Sequence, residues 1–123
     1  MAVGEHYHLF TRGVRKQVIF HDERDYVRFI YLLLHLQGKF TPTNISKSVS
    51  RYLKSNNFGT SAETVEQILR EPIIRLECFT IMPNHVHICV EQIEENGVSR
   101  YMQRVLAAYA KYYNEKYKQI GHL

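Results

Sequence analysis

The residues best suited to chemistry in this chain are two histidines one position apart, in His85-Val86-His87. In an extended strand, residues i and i+2 project from the same face, about 7 Å apart along the backbone. Two imidazoles so placed can converge on one divalent ion, while Val86 between them points into a core. The same spacing also arises from two half-exposed histidines of an ordinary hairpin. A second pair, His6 and His8, lies near the N-terminus. If its strand neighbours that of His85 and His87, four imidazoles could share one site; otherwise His6 and His8 mark only the frayed start of a strand.

Five of the nine tyrosines fall between Tyr101 and Tyr117, so a tyrosine nucleophile has to be weighed. A phenol can attack phosphorus. Tyr109 is the residue to consider, although its place on an apolar stripe reads first as packing. Aromatic residues interleaved with Lys and Arg suit single-stranded nucleic acid, in which bases stack and phosphates pair with cations. They suit an ordinary amphipathic helix equally well. The candidate nucleic-acid-contacting cations are Arg12, Arg15 and Lys16 in a turn, and Arg100, Arg104 and Lys111 near the C-terminus. A solvated loop and a solvated helix face are the plain alternatives. The sequence contains no Gly-rich phosphate loop, Ser-His-Asp arrangement or CxxC pair.

The elements that must position these groups can be read from periodicity. The run HYHLFT is β-prone and is ended by Arg12-Gly13. Asp22 caps a helix predicted over 23–37, with a stripe of Tyr26, Phe29, Ile30, Leu33 and Leu34, stopped at Gly38. Residues 41–60 hold seven Ser or Thr and read as a polar insert, set at 38–70, with a faint helical pattern (Ile45, Val49, Tyr52, Leu53). Thr60 or Ser61 can cap a second short helix over 62–70, closed by Pro72. Two β-prone runs, 73–81 and 85–92, flank Met82-Pro83-Asn84 and read as a hairpin. Beyond Asn96-Gly97 the period becomes helical, through Met102, Val105, Leu106 and Tyr109, with Ser99 as N-cap. The order strand, helix, insert, strand, strand, helix is α+β: a ferredoxin-like βαββα(β) unit with an antiparallel sheet and helices on one face. That order sets the first strand beside the third, and a missing fourth strand would leave an edge open to a second copy of the chain.

At 123 residues the chain has the length of one domain. Sixteen Lys and Arg against twelve Asp and Glu leave +4, a weak pointer to nucleic acid by itself. With 45% apolar and 23% charged residues, disorder of the whole chain is excluded. No run reaches the roughly 18 apolar residues of a spanning helix, and MAVGEHYHLF lacks the pattern of a signal peptide. A cytoplasmic protein is expected. Cys78 and Cys89 make no disulfide framework; lying in apolar stretches, they read as small buried hydrophobes.

These pieces together resemble one family. The run MPNHVHICV, residues 82–90, looks like the His-hydrophobic-His ("HUH") signature of single-tyrosine transposases. YHLFTRGVRKQVIFHDERDYVRFI, residues 7–30, is similar to the family's opening strand, Arg-Gly turn and first helix. ENGVSRYMQRVLAAYAKYYNEKYKQIGHL, residues 95–123, looks like the helix after the HUH strand. The branch related to REP-associated tyrosine transposases is the most similar. The resemblance implies that His85 and His87 hold Mg²⁺ or Mn²⁺, which polarises a phosphate of single-stranded hairpin DNA. A tyrosine then attacks, leaving a 5′-phosphotyrosine and a free 3′-hydroxyl. It also implies a homodimer. In the family a further strand and helix follow and carry that tyrosine; here the chain ends at Leu123, so the expectation is metal and DNA binding without a matching nucleophile. Two other readings stay open: a non-catalytic nucleic-acid-binding module of the same ancestry, and a metal-dependent hydrolase using His6, His8, His85 and His87.

Overall fold

A computed structural model describes residues 1–123. Three strands form one antiparallel sheet: β1 (His6–Arg12), β2 (Ile74–Met82) and β3 (His85–Gln92). Their order is β1-β3-β2, so the strand carrying His85 and His87 is central. Four helices complete the chain: α1 (Glu23–His35), α2 (Ile45–Ser55), α3 (Ala62–Arg70) and α4 (Gly97–Tyr117). The fold is α+β, as the element order predicts.

Strict alternation builds the two faces of the sheet. Val86, Ile88, Val90 and Gln92 are buried, whereas His85, His87, Cys89 and Glu91 are half-exposed on the opposite face. α1 and α4 pack on the buried side, where a core of 19 residues joins the sheet to both helices. The His face carries no helix.

α1 starts where Asp22 accepts a hydrogen bond from the Asp25 N–H, the usual N-cap arrangement. Its buried face is wider than the predicted stripe. Tyr31, Leu32 and His35 are buried as well, while Leu34 is exposed. The insert accounts for the difference. Phe58 meets Tyr31 and His35 edge-on and stacks on Tyr52 of α2. The His35 ring pairs with Thr60 Oγ1 at 2.7 Å. Val49 of α2 is fully buried in the common core.

α4 also differs from its predicted stripe. The buried positions are Val98, Tyr101, Val105, Tyr109 and Tyr113, and Leu106 is exposed. Ser99 does not cap it. Asn96 occupies the N-cap without a side-chain bond. Instead the Val98 N–H donates to Oε1 of Gln92, the buried last residue of β3. Gly97 is required there, because a Cβ would collide with the Ile73 carbonyl. α4 therefore begins at the Gln92 end of the sheet and runs back towards the other end, where Tyr113 Oη donates to the Val18 carbonyl.

Candidate functional site

The site is built at the end of the sheet where β2 turns into β3. Pro83 and Asn84 make the turn, and the chain that leaves β1 lies against it. The Ile19 and Phe20 N–H groups both donate to the Pro83 carbonyl, and Gly13 N–H donates to the Asn84 carbonyl at 2.9 Å. Between these points residues 14–16 form one turn of 3₁₀ type, in which Arg15 and Lys16 have positive φ of 57° and 61°. Such conformations are costly for residues other than glycine. Part of what holds them is Asn84, whose Nδ2 donates to the Lys16 carbonyl at 3.1 Å.

That bond decides the state of His85. With its NH₂ group turned to Lys16, Asn84 presents Oδ1, an acceptor, to His85 Nδ1 at 2.8 Å. Nδ1 must therefore carry the proton, and the Nε2 lone pair is left available. A ring nitrogen fixed by an outer partner is how metal-binding histidines are oriented. Sequence reading gave Asn84 only a place in the turn, because its partner Lys16 lies 68 positions away in the chain.

His87 lies on the same face, its ring centroid 5.4 Å from that of His85. Across the β1–β3 ladder, Arg12 stands opposite His85, Phe10 opposite His87 and His8 opposite Cys89. Phe10 is 54% exposed, yet it packs against both site histidines, with centroids at 5.7 and 5.0 Å. It is a second residue that sequence reading missed, although the alternation from His6 and His8 placed it on this face. His8 stacks on His87, and its Nε2 lies 3.0 Å from His87 Nδ1. His6 turns away from them. It donates to Glu77 at 2.8 Å, and that carboxylate raises its pKa. The four histidines thus divide into a linked group of three and one that pairs elsewhere. No group of three or more His, Cys, Asp or Glu side chains is arranged to hold a metal ion.

The candidate cations separate in the same way. Arg12, Arg15 and Lys16 are exposed at the His85 end of the sheet. Arg100 pairs with Glu94 at the far end, beside the start of α4. Arg104 is occupied internally: it donates to the Gly38 carbonyl at 2.6 Å and the Phe40 carbonyl at 2.9 Å. Burial lowers its pKa. Lys111 is exposed on α4. The cysteines differ from expectation. Cys78 is exposed and Cys89 half-exposed, both on the His face, because strand alternation outweighs the apolar character of their neighbours.

All five tyrosines of α4 have committed hydroxyls. Tyr101 donates to the Leu33 carbonyl, Tyr109 to that of Ile19 and Tyr113 to that of Val18. Tyr112 and Tyr117 donate to Asp25 at 2.6 and 2.5 Å. Burial raises the Tyr109 pKa strongly, with Asp25 adding to the effect. These hydroxyls lie on the helix side of the sheet, away from His85 and His87.

The chain matches the family described as "Transposase IS200 like" over residues 43–123. That range takes in both hairpin strands, His85, His87 and all of α4. The chain belongs to the IS200-like transposases. Its role is accordingly of the DNA-processing, transposase type, with DNA as partner. No curated protein and no solved structure gives a significant match. No helix is long and apolar enough to cross a membrane.

Proposed function

We propose that the uncovered sheet face is where this IS200-like transposase engages single-stranded DNA, with His85 and His87 as ligands of a divalent cation. The observation that carries this reading is the contact of Asn84 Oδ1 with His85 Nδ1 at 2.8 Å, which calls for a proton on Nδ1 and leaves the Nε2 lone pair free for a cation beside His87. Two imidazoles are an incomplete ligand set, so phosphate oxygens and water would fill the other positions. Nitrogen donors favour Mn²⁺ over Mg²⁺. A cation held by His85 and His87 would supply Lewis-acid polarisation of the scissile phosphate.

The protein's own groups do the positioning. His8 and His87 share one proton across their 3.0 Å contact. If the His8 Nε2–H donates to His87 Nδ1, the neutral His87 ring carries its one proton on Nε2 and has no lone pair left for a cation. If His87 Nδ1–H donates to His8 Nε2, His87 Nε2 becomes a donor to a cation. We take the second arrangement, in which His8 orients His87 and is not itself a ligand. Arg12, Arg15 and Lys16 supply phosphate-pairing charge at the His85 end, and Phe10 offers a ring on which a base can stack. Arg104 has a structural task instead. The α4 tyrosines, whose hydroxyls are committed to backbone carbonyls and Asp25, do not serve as the nucleophile in this arrangement, and residues 1–123 act as the platform that binds and orients DNA.

Incubation with Mn²⁺ and labelled hairpin DNA, followed by a denaturing gel, tests the division of labour. The expected outcome is metal-dependent binding, weakened in His87→Ala, and no adduct that depends on Tyr109. A covalent adduct lost in Tyr109→Phe would overturn it.

A further inference from the structure

The His face carries one more constellation, which DNA binding at His85 and His87 does not use. Cys78 of β2 and Cys89 of β3 stand directly opposite one another in the ladder, both as free thiols open to solvent. The register shift between Leu76 and Cys78 makes Glu77 an extra residue, so β2 is bulged beside the pair. Opposed residues in an antiparallel pair have Cα atoms about 4.5–5.5 Å apart, inside the roughly 4.4–6.8 Å range of disulfides. Their Cβ atoms, about 4.5–5.5 Å apart, must approach by up to about 1 Å to reach the disulfide range. The bulge makes β2 the strand able to give way. On its other side Cys89 faces His8, and His87 is the next residue of β3 on the same face.

We propose that Cys78 and Cys89 are a reversible dithiol–disulfide site whose oxidation resets the adjoining His8–His87 pair. The co-reactant is a low-molecular-weight disulfide. The thiolate of the more exposed Cys78 attacks one sulfur of that disulfide, forms a mixed disulfide and expels one small thiolate. The Cys89 thiolate then attacks Cys78 Sγ, forms the Cys78–Cys89 bond and expels the second. Two electrons pass to the small disulfide, and the two thiol protons go to the expelled thiolates. A bond that is exposed and draws two strands together belongs to the labile, regulatory kind rather than the structural one. Because Cys89 shares a row with His8 and a strand face with His87, its movement reaches that pair whether or not a cation is bound there.

Oxidised glutathione added to the reduced protein provides the test, read by intact mass, thiol titration and the ring-proton NMR signals of the histidines. Expected is the joint loss of both thiols with no glutathione retained, reversal by dithiothreitol, and shifts of the His8 and His87 signals while His35 and His122 stay in place. Cys78→Ser and Cys89→Ser should each give at most a stable mixed adduct and leave the His8 and His87 signals near their reduced positions. Persistent glutathione adducts on the wild type, or disulfide-linked dimers, would overturn the site. Formation of the bond with unmoved His8 and His87 signals would overturn the coupling.

Discussion

At the scale of single residues, His8 and His87 separate the account from its rivals. Removing a cation ligand and removing the group that orients it have different consequences. His87→Ala should abolish measurable Mn²⁺ binding in a titration. His8→Ala should weaken it by about 10–100-fold, the usual effect of losing an outer hydrogen-bond partner. Equal, complete losses would instead favour His8 as a true ligand. Tyr109→Phe tests the other assignment. The substitution leaves the Ile19 carbonyl without its donor, so it should cost about 1–3 kcal/mol in denaturant unfolding and leave metal-dependent DNA binding unchanged. His85 and His87 were legible in the sequence because a period of two needs only a strand to put them on one face. Asn84 was not, because its role follows from a turn that brings Lys16 back to it. Nor was the task of Arg104, whose three carbonyl partners lie more than 60 positions away in the chain.

Between elements, the join of α1 to α4 rests on a buried charge. Asp25 is fully buried and accepts from Lys116, Tyr112, Tyr117 and the His21 N–H. Burial by itself would push the carboxyl up, but these four donors outweigh it and hold it at about 2. The folded pKa thus lies below the unfolded value of about 3.9. The stabilisation is complete above about pH 4 and is lost as pH falls towards 2. Asp25→Asn should cost about 1–3 kcal/mol at neutral pH, since the buried site loses its charge-assisted bonds to Lys116, Tyr112 and Tyr117, while Lys116 keeps its pair with Asp22. It should also flatten the stability profile between pH 4 and 2. An unchanged acid profile would show that Asp25 is not the titrating group. Sequence pattern found the three strands and α1, α3 and α4, and a faint trace of α2, but it misjudged the faces of α1 and α4. The reason is tertiary. α1 is covered by the sheet side and by the insert, and α4 turns Tyr109 and Tyr113 towards the 18–20 loop and Tyr101, Tyr112 and Tyr117 towards α1. The insert's polar sequence concealed Phe58, which ties it to α1, although Val49 stood in its faint helical pattern.

For the molecule as a whole, the informative quantity is where the charge lies rather than the net +4. Arg12, Arg15 and Lys16 gather at the His85 end, whereas Arg100 and Arg104 are engaged with protein groups. Replacing the first three by Ala should lower the slope of log affinity against log salt for single-stranded DNA by up to about two units, at roughly 0.7 for each phosphate no longer neutralised. Arg104→Ala should leave the slope unchanged and reduce thermal stability. A change of slope in Arg104→Ala would move the DNA path to the helix side. The sheet order β1-β3-β2 follows from the sequence of elements and sets His8 beside the site; the alternation of His85 and His87 with Val86 and Ile88, with helices on one face only, likewise left the His face uncovered. The most direct measurement is paramagnetic broadening of histidine ring signals during titration with Mn²⁺. The account predicts that His85 and His87 broaden first, His8 and then His6 later, and that His87→Ala removes the selectivity. Uniform broadening of all seven histidines, or broadening centred on His21, His35 or His122, would contradict a cation site on the open face of the sheet.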